Sequence, residues 1–114
     1  MSLAPNFVNG QRLFNAFDLA GDSTVSDPID IREATGYSAQ ISWAGVAGTG
    51  ADLLIEASND SIVWTTVSNT GIDSASGNAL FEEDRAMYAY VRASLVIGSV
   101  TAGTLNVAMC VKRI

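Results

Sequence analysis

The sequence predicts an all-β fold, a sandwich or barrel of seven or eight antiparallel strands. Three observations carry that expectation. Apolar and polar residues alternate in several runs, which places successive side chains on opposite faces of a pleated strand. Clusters of Gly, Asn, Asp and Ser, which suit tight turns, separate the runs at intervals of about 8 to 14 residues. No long stretch carries the helical period that would insert crossover helices and make parallel pairing the expectation.

Along the chain, residues 1–10 hold Pro5, Asn6 and Gly10 together with Phe7 and Val8, and no alternation buries the two apolar side chains. They read as an N-terminal arm ahead of a single domain at 11–114. Phe7 and Val8 suit docking against a neighbouring subunit and are candidate partner-binding residues. In 11–19, Leu13, Phe14 and Phe17 fit a short helix or a strand, and the β surroundings favour the strand. Ile29 and Ile31 flank Asp30 in a short strand. In 37–43, Tyr37, Ala39, Ile41 and Trp43 share one face against Ser38, Gln40 and Ser42.

In 51–58, Leu53, Ile55 and Ala57 oppose Asp52, Leu54 and Glu56. Residues 61–67, β-branched around Trp64, and 78–82 add shorter strands. In 87–95, Met87, Ala89, Val91, Ala93 and Leu95 alternate with Tyr88, Tyr90, Arg92 and Ser94. In 104–112, Leu105, Val107, Met109 and Val111 form the apolar set. Turns are expected at 45–50, 59–60, 69–71, 74–78 and 98–103.

At 114 residues the chain fits one domain, which buries roughly two thirds of the surface its unfolded form exposes. Six basic against twelve acidic residues give a net charge of −6, so the average surface repels both nucleic-acid backbones and anionic lipid. Neither nucleic acid nor membrane is an expected partner. Lys112 and Arg113 are too short a basic run to change this. The single cysteine, Cys110, permits no intrachain disulfide. With no basic-then-apolar leader at the N-terminus, the expectation is a soluble protein made in a cytoplasm.

The sequence offers little for catalysis. It contains no histidine, which removes the commonest general base and metal ligand. The acidic groups Glu82, Glu83, Asp84 and Asp27, Asp30, Glu33 lack the spacing of a calcium loop, and they read as solvated turns. Gly45, Gly48 and Gly50 precede Ala51 and Asp52 with no lysine or helix start, so they read as a hairpin and not a phosphate loop. Cys110 has no histidine to activate it and reads as an inert packed thiol. The expectation is a protein that is not an enzyme and needs no metal or other cofactor.

Tyr88, Tyr90 and Arg92 fall on the face opposite the apolar one, and these residue types are enriched at protein contacts. They are candidate partner-binding residues. The same face reads equally as a surface covered by a second layer, or as a sugar-stacking platform.

Several segments together resemble small β-sandwich proteins of tailed-phage virions. The central one is Leu54 through Ser61 followed by Trp64, similar to a "QASNDGxxW" pattern, with Ser61 where that pattern has glycine. Before it, Ile29 to Ile31 and Gly36 to Trp43 match "IDI" and "GYSxQxxW"; after it, Tyr88 to Arg92 match "YxYVR", and a closing strand follows from Gly103. The resemblance spans about residues 23–113. It implies an antiparallel β-sandwich, jelly-roll-like, in which Trp64 covers the hydrophobic layer. It further implies a capsid decoration (cement) protein on the virion exterior, a homotrimer bound to the major capsid protein at capsomer junctions. Related sandwiches also occur in tail and fibre proteins, and a carbohydrate-binding module is the alternative from another class.

Overall fold

The computed structural model describes residues 7–32, 34–83 and 88–113, with side chains from Arg12 to Lys112. Within these spans nine strands form in order: β1 (Phe7–Asp18), β2 (Thr24–Val25), β3 (Ile29–Asp30), β4 (Ala34–Ala47), β5 (Ala51–Ser58), β6 (Thr65–Ile72), β7 (Gly77–Glu83), β8 (Tyr90–Val96) and β9 (Ala102–Arg113). Every pairing is antiparallel. One sheet runs β1-β9-β4-β7 and the other β2-β8-β5-β6, with β3 also on β8.

That order is a jelly roll. Successive strands cross from sheet to sheet, the one hairpin within a sheet is β5-β6, and the first and last long strands lie side by side. The predicted all-β sandwich is therefore the fold observed. β2 and β3 are two pieces of one edge strand. Ser26 continues the ladder between them, donating its N–H to Ala93 O at 2.8 Å and accepting the Ala93 N–H on Oγ at 2.9 Å.

The core lies between the sheets, and alternation decides who enters it. From β4 come Tyr37, Ala39, Ile41 and Trp43; from β9, Leu105, Val107, Met109 and Val111; from β5, Ala51, Leu53, Ile55 and Ala57; from β8, Val91, Ala93 and Leu95. Each strand turns the intervening residues outward, so one face is dry and the other meets solvent. Trp43 sits at the rim with its indole N–H donated to Ser74 O at 3.1 Å.

Several sequence expectations are corrected. Phe7 to Gly10 belong to β1, paired with β9 from Phe7 opposite Lys112, so the domain does not begin at 11; the β9 edge supplies the hydrogen bonds that an isolated arm would lack. Residues 1–6 of the expected arm lie outside the described residues. The residues 45–50 do not close a hairpin, because β4 and β5 lie in different sheets. The strand expected at 61–67 begins only at Thr65 and runs through the turn expected at 69–71, since Asn69 and Gly71 pair with Leu54 and Asp52. Tertiary pairing there overrides local turn preference.

Candidate functional site

The loop between β5 and β6 is the most sharply defined feature of the outer surface. Asn59 and Asp60 turn the chain as expected. The Ser58 Oγ accepts the backbone N–H of Asp60 at 3.2 Å and of Ser61 at 2.9 Å, and donates to Asp60 Oδ1 at 2.9 Å. Asp60 Oδ1 in turn accepts the N–H groups of Ile62 and Val63, each at 2.9 Å. These last bonds, with the Ser58 hydroxyl, hold the Asp60 carboxyl below its ordinary range. Ser61 takes φ 62°, which its small polar side chain tolerates.

The result is a fixed tip. Ile62 is 80% exposed and Val63 68%, although neither residue gains anything from water contact. Beside the tip, Ala57, Ser58, Asn59, Asp60, Thr65 and Val67 line a cavity of about 390 Å³. Two exposed aliphatic side chains on a loop locked by five hydrogen bonds make a preformed apolar contact. Sequence reasoning missed them. The available signal was an Ile-Val pair directly after a turn with no alternating partner.

Behind the tip, the outer face of the β8 sheet carries two cation-aromatic pairs. The Arg92 guanidinium lies 4.2 Å from the centre of the Trp64 ring and donates to Glu56 Oε1 at 2.7 Å. Arg32 lies 5.6 Å from the centre of the Tyr90 ring and pairs with Asp30 at 2.5 Å. Trp64 therefore sits outside the core, contrary to the expectation that it covers the hydrophobic layer. Arginine draws it to the surface by the attraction between a cation and the face of an indole. One face of each ring is thus taken by a guanidinium, which leaves less for a sugar to stack on.

Of the candidate residues, Tyr90 and Arg92 share this outer face as expected, and Tyr88 does not. It precedes β8, packs against the core, and meets Tyr37 edge-on at 6.4 Å between ring centres. Its hydroxyl donates to Glu83 Oε1, which also accepts the Tyr37 hydroxyl at 3.3 Å. Burial and the neighbouring carboxylate push the Tyr88 hydroxyl up to about 12 and raise Tyr37 further, again chiefly by burial. Glu83, expected in a solvated turn, is instead the shared acceptor of two tyrosines. Asp84 and Glu33 lie outside the described residues. Phe7 and Val8 enter the sheet through their backbones, opposite Lys112 and Val111, far along the chain from the tip.

Cys110 faces outward from β9, half-buried, in a shallow depression of about 400 Å³ with Ser38, Glu82 and Lys112. Among the described residues no group of three or more acidic or cysteine side chains converges as a metal site, and no helix is long and apolar enough to cross a membrane.

No protein-family model matches the chain, and no curated protein matches it either. Its fold is similar to a solved chain from work titled "Bacillus endospore appendages form a novel family of disulfide-linked pili". The two superpose with a TM-score of 0.59 at 13% identity, covering 100% of this chain and 97% of the other. At that identity the likeness shows a common sandwich and nothing finer.

Proposed function

We propose that this chain is a noncatalytic structural protein of a tailed-phage virion, a decoration protein that adheres to the outside of the shell, contacts the major capsid protein and stabilises it. The observation that carries the adhesion is the locked tip with Ile62 and Val63 held in solvent. Burying an aliphatic side chain of this size stabilises a contact by about 2 kcal/mol, and a loop that is already ordered loses little entropy on docking. The ordered sequence motifs supply the shell as the partner. The test is co-sedimentation with undecorated shells and the thermal stability of those shells. Binding that is lost in Ile62→Ser/Val63→Ser supports the reading, and a wild-type chain that neither binds nor stabilises shells refutes it.

A second reading, a tail, fibre or filament subunit, is favoured by the fold shared with a pilus chain over the full length. Covalent linkage on the pattern of that title is not open to it. One cysteine per 114 residues can join two copies and no more. Filaments of this chain would be held by noncovalent contacts, and electron microscopy of the concentrated protein under reducing conditions separates this reading from the first.

A further inference from the structure

Each sheet of the sandwich ends in two edges, and three of the four are interrupted. β1 changes register against β9 at three places and holds Ala16 at φ 50°. β6 shifts register against β5 between Ile55 and Glu56. The β2-β3 edge is broken into two short pieces with Pro28, which has no N–H to offer, between them. Bulges, proline, short pieces and charged side chains are the devices by which proteins protect a sheet edge from pairing with another chain. Of these β7 has only two carboxylates, Glu82 and Glu83, at one end. It pairs with β4 residue for residue from Gly77 to Glu83 with no shift, and it contains neither proline nor lysine. Among the described residues its other side pairs with no strand.

We propose that β7 is a self-association edge, along which two copies pair antiparallel about a two-fold axis through Leu80 and merge two four-stranded sheets into one of eight. Full-length pairing of a seven-residue strand with itself admits only the register centred on Leu80. In that register Leu80, 57% exposed, meets the second copy's Leu80. Asn78 lies opposite the second copy's Glu82, Ala79 opposite Phe81, and Gly77 opposite Glu83. No acid faces an acid, and an amide faces each exposed carboxylate, the pairing that stabilises neighbouring strands. The partner of this edge is therefore a second copy of the chain. The arrangement is two-fold and differs from the trimer that the sequence resemblance implies.

The contact is small. Seven residues span about 24 Å, and with a strip about 10 Å wide they cover about 240 Å² per copy, against roughly 800 Å² for a stable interface. The dimer is accordingly weak and forms where copies are concentrated or held side by side. Because each copy carries a net charge of −6, added salt strengthens it by screening the repulsion.

Sedimentation equilibrium between about 10 μM and 1 mM is the test, covering the range expected of so small an interface. The wild-type chain forms a dimer whose dissociation constant falls with salt. Asn78→Glu sets acid against acid twice and raises that constant about fivefold, whereas Asn78→Glu/Glu82→Lys restores it. Asn69→Glu adds the same charge on β6 and leaves the β7 contact in place, so its effect stays well below that of Asn78→Glu. Circular dichroism and melting check that each variant is folded; all three positions of change, 69, 78 and 82, are exposed. A monomer throughout, an oligomer indifferent to Asn78→Glu, or a loss that the double variant does not restore overturns the proposal.

Discussion

Replacing Gly98 by alanine tests how the β4–β5 and β8–β9 connections are held together at one end of the sandwich. Gly98 takes φ +61°, and a Cβ built there falls 2.4 Å from the carbonyl oxygen of Gly50 and 2.5 Å from its carbonyl carbon. Both are backbone atoms, so the β4–β5 connection must move. That connection is tied to the segment after β8 by Ser99 N–H to Thr49 O and Thr101 N–H to Ala47 O, each at 2.9 Å. An L-residue in the left-handed region costs about 1–2 kcal/mol, and each loosened hydrogen bond adds about 1 kcal/mol. Gly98→Ala is expected to lose about 3 kcal/mol in all. Gly45→Ala is the control: its φ is +66°, and its Cβ meets nothing within 4 Å. It carries the conformational cost alone, about 1 kcal/mol, and both variants share the same gain from a stiffer unfolded chain. Urea unfolding followed by circular dichroism gives the two stabilities, with equal m-values expected. A difference below about 0.5 kcal/mol between the variants would refute the assignment of the cost to the Gly50 overlap.

Three further outcomes follow from the site. The Asp60 carboxyl is held below its ordinary value of 3.8, so its contribution is present above that pH and is lost as pH falls through the lower folded value; the amide resonances of Ile62 and Val63 should move together only below pH 3.8, and a midpoint at or above it would contradict the loop lock. Tyr88, pushed up to about 12, opposes ionisation, so stability is intact below pH 10 and declines as pH rises from 10 through 12; Tyr88→Phe should flatten that decline in alkaline melting curves. Arg92→Ala leaves the half-buried Glu56 without its partner, with side chains 23% and 15% exposed, and should cost about 2 kcal/mol while changing Trp64 fluorescence; unchanged Trp64 emission would show that the guanidinium does not lie on the ring.

Legibility in the sequence followed burial. In β4, β5, β8 and β9 one face is dry, and there the period of two identified the inward residues from Tyr37 to Val111 directly. It failed in β6, where Thr, Ser, Asn and Gly read as a turn and only Ile72 is buried; the strand exists because β5 offers it a ladder. The pairing of β1 with β9 was also hidden, because no local pattern reports a contact between residues a hundred positions apart. At the site, residue type located Tyr90 and Arg92 on the outer face. It misplaced Tyr88 and Trp64, since what decides each is a partner far along the chain, Tyr37 for one and Arg92 for the other.

The positions of tip and edge in the topology bear on how freely each can vary. Strands β8 and β9 have neighbours on both sides and carry much of the core, and β9, the last long strand made, completes its sheet only when β1 and β4 flank it. A change there alters folding and contact together. The tip lies in the one hairpin within a sheet, and β7 lies at the end of its sheet with Asn78, Leu80 and Glu82 exposed. Substitutions at such places change few buried contacts, and effects at sites without shared partners add. Adhesive specificity at Ile62, Val63 and β7 can therefore diverge while the clamped interior stays fixed, which is the arrangement expected when a sandwich serves as a carrier for contacts and its interior serves only to hold them in place.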